Sequence, residues 1–75
     1  MTGQPSQSTL AHIFVNGQSR STHAATLAEL LAELGYLEGE VATALNGTFV
    51  PRGRRAEVQL ALNDAIEIVA PRQGG

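Results

Sequence analysis

The last two residues of the sequence, Gly74 and Gly75, are the ones whose type and spacing best suit chemistry. Glycine has no Cβ, so a pair of glycines forms a thin and conformationally permissive peptide. We expect residues 71–75 to be a flexible tail with a free C-terminus, which threads into another protein's active site and presents its carboxylate there. A frayed chain end is the plainer alternative, because chain ends are commonly poorly ordered.

Other groups suited to catalysis or metal binding are scarce. The chain contains no cysteine, which excludes a disulfide framework, a thiolate metal site and a cysteine nucleophile. His12 and His23 lie apart in the sequence with no obvious orienting carboxylate, and such histidines are more often surface residues. The sequence therefore predicts no catalytic residues of its own, no metal site and no bound cofactor.

Two sets of residues are candidates for contact with a partner protein. One is an arginine cluster in a polar loop, since arginine suits interfaces; a solvated loop is the alternative. The other is an outward apolar patch of the kind that marks a binding face, although its phenylalanine could equally belong to the core. The predicted partner surface comprises Phe14, Ala44 and Val69 in the patch, Arg52, Arg54 and Arg55 in the cluster, and Arg72 in the tail.

Length and charge narrow the function classes. A chain of 75 residues makes one small domain that buries about 60% of its unfolded surface, which favours a carrier or binding module over a self-contained enzyme. Five arginines against seven carboxylates give no basic stripe for nucleic acid. No apolar run approaches transmembrane length, and no signal peptide is evident. We expect a cytoplasmic protein.

The elements that must position these groups begin with a predicted hairpin. Residues 1–10 are polar without apolar periodicity and are expected to form a flexible extension. Residues 12–15 are strand formers, and Asn16-Gly17 after them is the strongest local signal for a type I′ turn. Residues 18–22 are polar and are predicted to form an edge strand.

A single helix follows. Thr26 and Glu29 have the spacing of a capping box, in which each side chain can reach the other's backbone N–H. Four leucines in residues 27–34 recur at helical spacing and form one apolar stripe. Gly35 is placed as a left-handed cap, with Tyr36 folding back onto the helix. So short a helix must pack on a sheet.

Three further strands are predicted at residues 41–45, 48–50 and 65–69. A second Asn-Gly pair joins the first two of these strands. A polar connection over residues 52–61 leads to the last strand, and Leu60 and Leu62 are expected to pack in the core. One helix on one face of a mixed, four- to five-stranded sheet is an α+β fold. The folded domain is predicted to span residues 11–70.

This pattern resembles the ubiquitin-like β-grasp architecture and, within it, the ThiS family of sulfur carriers. The most specific stretch is Leu-Asn-Gly-x-x-Val-Pro-Arg, residues 45–52, because related MoaD-type molybdopterin carriers lack the Val-Pro-Arg element. Arg55 stands where the family usually has a tryptophan. The residues that carry the resemblance are 13–17, Leu30-Leu31, 44–47, Val50-Pro51-Arg52, 64–69 and Gly74-Gly75.

The resemblance implies a carrier of sulfur for the thiazole of thiamine. The Gly75 carboxylate would be adenylated with ATP by a ThiF-like adenylyltransferase, and Gly74 would give access to it. A persulfide derived from a cysteine desulfurase would convert Gly75 to a thiocarboxylate, and the thiazole synthase ThiG would receive the sulfur. The alternatives are a MoaD-like carrier for molybdopterin or another acceptor, a ubiquitin-like protein modifier, and an interaction domain with an inert tail.

Overall fold

Five strands, one α-helix and one 3-10 helix make up the part of the chain that the structure, a computed structural model, describes: residues 10–36 and 40–70. The predicted extension, apart from Leu10, and the predicted tail lie outside these residues, so their boundaries stay predictions. The elements are β1 (Ala11–Val15), β2 (Gln18–Thr22), α1 (Leu27–Leu34), β3 (Ala42–Leu45), β4 (Thr48–Val50), the 3-10 helix (Arg52–Glu57) and β5 (Ala65–Val69).

The strands form one mixed sheet in the order β2-β1-β5-β3-β4. β1 and β5 run parallel at its centre, whereas the other neighbouring pairs are antiparallel. α1 packs on one face, where Leu27 and Leu30 share a core with Ile13 and Ile66. This arrangement confirms the predicted α+β fold of the ubiquitin-like β-grasp type, and the polar strand β2 lies at an edge as expected.

Both Asn-Gly pairs form the hairpin turns that the sequence predicts. The φ angles are +52° at Asn16 and +84° at Gly17 in the first turn, and +49° at Asn46 and +86° at Gly47 in the second. Positive φ at both central residues defines a type I′ turn, whose twist matches that of the flanking strands. The two turns therefore fix the registers of β1 with β2 and of β3 with β4.

The helix begins with a capping arrangement close to the predicted one. The backbone N–H of Glu29 donates to Thr26 Oγ1 at 3.2 Å, so Thr26 is the N-cap. The Glu29 carboxylate accepts from the backbone N–H of Ala25 at 2.8 Å, one residue earlier than a capping box requires. Two backbone donors at the helix start are thus satisfied, which stabilises the first turn.

The predicted helix stripe and C-terminal cap are also confirmed. Three of the four leucines are buried, and the last packs at the margin of the core. Gly35 adopts φ +88°, and the backbone N–H of Tyr36 donates to the carbonyl of Leu31 at 2.9 Å. This bond satisfies one of the terminal carbonyls of the helix.

The core is one small cluster between α1 and the sheet. Leu60 packs at its margin as expected, but the prediction for Leu62 was wrong, since Leu62 is 67% exposed. The reason is a tight turn in which the N–H of Asp64 donates to the carbonyl of Ala61, so Leu62 lies at the tip of the turn. The buried apolar residues are Ile13, Leu27, Leu30, Leu31, Val41, Val50, Ile66 and Ile68.

The connection between β4 and β5, which the sequence predicts as a polar loop, contains a 3-10 helix. Residues Arg52–Glu57 form the 3-10 helix, which the sequence did not reveal, and this helix packs against α1. The N–H of Leu27 donates to the carbonyl of Val58, and the N–H of Leu60 donates to the carbonyl of Ala25. The connection is therefore fastened to the start of α1, on the helix side of the sheet.

Candidate docking face and tail segment

The sheet has one covered face and one open face, because strand residues alternate in direction. Ile66 and Ile68 of β5 are buried beneath α1, whereas Glu67 and Val69 between and after them are exposed. Extended through the registers of the other strands, this alternation defines an open face. Its residues are Ser19 and Ser21 in β2, His12 and Phe14 in β1, Ala65, Glu67 and Val69 in β5, Ala42 and Ala44 in β3, and Phe49 in β4.

The three residues of the predicted apolar patch all lie on the open face. Ala44 is paired with Glu67, and Val69 is paired with Ala42 on the same two strands. Phe14 is paired with Ala65, toward the other end of β5. The apolar residues of this face therefore follow β5 along its length.

The position of Phe14 decides between the two alternatives, a core residue or a residue of the outward patch. Phe14 is half-buried and does not belong to the core cluster. Its ring stands edge-on to that of His12, with centroids 5.4 Å apart and an interplanar angle of 71°. Phe14 is therefore a residue of the open face.

Phe49, the most exposed apolar residue of the open face, is not part of the partner surface that the sequence predicts. Its side chain is 65% exposed and lies beside Ala44, its partner in the β3–β4 hairpin. Val69 is exposed to a similar extent, 62%. The signal was available: in a strand closed by a two-residue turn, the buried Val50 forces its neighbour to point the other way.

The predicted arginine cluster does not form one surface. Arg52 and Arg54 are exposed on the 3-10 helix, and Arg54 Nε lies 2.9 Å from a carboxylate oxygen of Glu57. Both residues lie on the 3-10 helix, outside the sheet, and Arg54 lines a depression together with Phe49 and Val58. Arg72 lies outside the described residues.

Arg55 is a correction to the predicted partner surface, because only 3% of it is exposed. Its Nε donates to Thr43 Oγ1 at 3.1 Å, and one terminal nitrogen donates to the carbonyl of Val41 at 2.6 Å. Thr43 in turn donates to the carbonyl of Val50 at 2.9 Å. A buried charge must be hydrogen-bonded to be tolerated, so Arg55 serves to tie the 3-10 helix to β3 and β4.

The strand that leads toward Gly75 is held from both sides by the two turn asparagines. The Asn16 amide accepts from the N–H of Ile68 at 2.8 Å and donates to the carbonyl of Ile68 at 3.2 Å. The Asn46 amide accepts from the N–H of Ala65 at 2.8 Å and donates to Asp64 Oδ1 at 3.0 Å. These bonds continue the ladder beyond the strands β1 and β3, so β5 is fixed at both ends.

Both histidines, His12 and His23, are exposed. His12 Nε2 lies 2.5 Å from Ser19 Oγ on the open face, and both side chains are exposed. The Asp64 carboxylate accepts from the N–H of Ala61 at 2.7 Å and so caps the turn before β5. Within residues 10–36 and 40–70, no group of three or more potential ligands could hold a metal ion, and no helix is long and apolar enough to cross a membrane.

The fold and the open face define the class: a small ubiquitin-like β-grasp protein with an anchored final strand. A model of the ThiS family matches residues 13–75, from β1 through Gly75. The chain therefore belongs to the ThiS family, and this membership supports a sulfur-carrier role.

Two solved structures are similar to this chain. One is a crystal structure of the thiamine biosynthesis protein ThiS from Geobacter metallireducens, with 26% identity over 85% of this chain and 99% of that one and a TM-score of 0.71. The other is a solution NMR structure of a thiamine biosynthesis protein from the same organism, with 28% identity over 85% of this chain and 87% of that one and a TM-score of 0.71. No curated protein gives a significant sequence match.

Proposed function

We propose that this chain carries sulfur for the thiazole ring of thiamine, and that the carboxyl carbon of Gly75 is its reacting atom. The observation that carries the proposal is the family match, which runs through Gly75. Both similar structures are of thiamine biosynthesis proteins, which favours thiazole as the product.

The chemistry begins with activation, because a free carboxylate is a poor acyl donor. A Gly75 carboxylate oxygen attacks the α-phosphorus of ATP in a ThiF-like adenylyltransferase, and pyrophosphate leaves. A persulfide sulfur, supplied through a cysteine desulfurase, then attacks the Gly75 carbonyl carbon and expels AMP. A thiol reduces the resulting acyl disulfide, which leaves a Gly75 thiocarboxylate that donates its sulfur to the thiazole synthase ThiG.

In this proposal the chain is a substrate of its partners and not an enzyme. The folded body supplies recognition and the glycine pair supplies access, because residues without a Cβ pass through a narrow opening. Six residues lie between Val69 and Gly75 if Gly75 is counted, and such a segment spans at most about 20 Å. A partner that activates Gly75 must therefore bind close to the end of β5.

The open face is the part of the folded body that we assign to docking. Phe49 and Val69 expose apolar side chains there, beside the end of β5. Contiguous exposed apolar residues mark protein-binding faces on small domains. The exposed Arg52 and Arg54 lie outside the sheet, on the 3-10 helix, and are not part of this face.

Intact-mass analysis tests the proposal. The protein is incubated with ATP, a ThiF-like adenylyltransferase, a cysteine desulfurase, cysteine and a thiol reductant. The expected result is a mass gain equal to the difference between a sulfur and an oxygen atom, lost on omission of ATP and absent from a variant lacking Gly75. An unchanged mass with a demonstrably active cognate adenylyltransferase would contradict the proposal.

A second arm separates thiazole formation from the alternatives. The thiocarboxylate product is offered to a thiazole synthase and, in parallel, to the large subunit of a molybdopterin synthase. Sulfur transfer to the first alone supports the proposal, whereas transfer to the second alone identifies a MoaD-like carrier. Isopeptide-linked adducts on lysines of other proteins, without thiocarboxylate, would identify a protein modifier.

A further inference from the structure

Glu67 is the one carboxylate among the strand residues of the open face, and it lies within the apolar part of that face. It occupies the middle of β5, between Ala65 and Val69, and it is exposed. Ala44 is its partner in β3, and Phe49 lies beyond Ala44 in β4. A shallow depression in the surface is lined by Glu67 together with Phe49, Val69 and small residues of β3.

The Glu67 carboxylate has no charged or hydrogen-bonded partner among residues 10–36 and 40–70. The ion pair in this part of the chain joins Arg54 to Glu57 within the 3-10 helix and does not involve Glu67. Arg20, the nearest arginine in the hairpin, is paired with the buried Ile13 and so points away from the open face. Glu67 is therefore solvated by water in the free protein.

Docking of an apolar surface over this patch would remove that water. Burial of an unpaired carboxylate is strongly unfavourable unless a cation or hydrogen-bond donors replace its hydration. An all-apolar partner would therefore be rejected by this face. A second copy docked face to face about a two-fold axis near Glu67 would bring two carboxylates together, which is also unfavourable.

We propose that Glu67 recognises a lysine or arginine at the centre of an apolar docking surface on the adenylyltransferase that activates Gly75. The inference rests on the proposed function. Only seven residues separate Glu67 from Gly75 along the sequence, so the enzyme that holds Gly75 binds near this part of β5. The carboxylate selects the partner by charge, and the surrounding apolar side chains provide the buried area.

The test compares three single substitutions in the full chain. Glu67→Gln removes the charge with little change in shape, and Glu67→Leu makes the patch wholly apolar. Glu57→Gln is the matched control, because it removes one carboxylate from an exposed position in the 3-10 helix, outside the sheet. Circular dichroism and size-exclusion chromatography confirm that each variant is folded and monodisperse before its Kd for a ThiF-like adenylyltransferase is measured.

We expect Glu67→Gln to weaken binding about tenfold and Glu67→Leu to weaken it further, because the partner's cation then faces a hydrocarbon. Glu57→Gln should bind like the unmodified chain. The difference between the unmodified chain and Glu67→Gln should shrink as salt is raised, since salt screens the charge pair. Equal affinities for the unmodified chain and Glu67→Gln, or tighter binding by Glu67→Leu, would overturn the inference.

The intact-mass readout keeps the two proposals separate. At saturating adenylyltransferase, the unmodified chain and Glu67→Gln should both gain the thiocarboxylate mass, because Glu67 takes no part in the chemistry. If the unmodified chain gains this mass and Glu67→Gln binds equally well, the inference fails and the proposed function stands. If the unmodified chain binds the adenylyltransferase with the expected Glu67 dependence but never gains mass, the proposed function fails.

Discussion

The two faces of the sheet are built from the same strands, but one face forms the core and the other is exposed to solvent. On the covered face, Ile66 and Ile68 are almost fully buried beneath the leucines of α1. On the open face, Val69 and Phe49 are more than half exposed. A domain this small has little apolar area with which to build its core. Large apolar side chains that are exposed and do not stabilise the fold therefore indicate a surface used for binding.

The largest expected effect comes from breaking the covered face. Leu30→Ala should lower the free energy of unfolding by about 2–5 kcal/mol, because Leu30 is fully buried and a cavity would remain. Urea denaturation followed by circular dichroism measures this loss. Leu62→Ala is the control and should change stability by less than about 0.5 kcal/mol, since Leu62 is exposed. Equal losses in the two variants would show that the core is not where the structure places it.

The buried arginine provides the next test. Arg55→Met should cost about 1–3 kcal/mol of stability, because the buried carbonyl of Val41 and the hydroxyl of Thr43 lose their donors. Arg54→Met, at an exposed ion pair, should cost no more than about 0.5 kcal/mol. Denaturant midpoints of the two variants give the comparison. A larger loss of stability in Arg54→Met than in Arg55→Met would contradict the buried, hydrogen-bonded position of Arg55.

β5 contributes to both faces, and its anchoring by Asn16 can be tested separately. Asn16→Gly keeps a residue that tolerates positive φ but removes both hydrogen bonds to Ile68, so we expect a loss of about 1–2 kcal/mol. Amide hydrogen exchange at the end of β5 should become faster while exchange in α1 follows only the global loss. Unchanged protection at Ile68 would mean that the asparagine side chain does not hold the strand.

The smallest effect on stability should come from the open face, where the effect on function should be large. Phe49→Ser should change the free energy of unfolding by less than about 0.5 kcal/mol, yet lower kcat/KM for adenylation about tenfold if the open face docks. Leu62→Ser is matched in exposure, 67% against 65%, and lies in a turn outside the sheet. Equal kcat/KM values for adenylation of the two variants would contradict a role of the open face in docking.

The sequence predicted the regular elements well, because each carried a local physical signal. The Asn-Gly pairs specified turns that need positive φ, and the spaced leucines between Thr26 and Gly35 specified the helix. The order of signals along the chain, and the resemblance to the ThiS family, then led to the β-grasp fold. These features depend on neighbours in sequence, which is why a single sequence reveals them.

The features that sequence analysis missed depend on contacts between distant residues. Arg55 is buried by packing of the 3-10 helix against β3, and nothing adjacent to it in the sequence indicates this. The sequence predicts Asn16 and Asn46 as turn residues only. In the structure their side-chain amides also accept hydrogen bonds from backbone N–H groups of β5. The roles of Gly74 and Gly75 stay predictions, since both lie outside the described residues.

In the proposed function, the open face of the sheet, and not the face covered by α1, receives the partner that activates Gly75. The most direct measurement is an NMR titration of the isotope-labelled protein with a ThiF-like adenylyltransferase, following each backbone amide. We expect chemical-shift changes and line broadening to concentrate in β5, β3 and β4, with Ala44, Phe49 and Val69 among the most affected residues. The amides of α1 and the 3-10 helix should change little. Perturbation centred on Leu27–Leu34 or Arg52–Glu57, with the open face unchanged, would contradict this expectation.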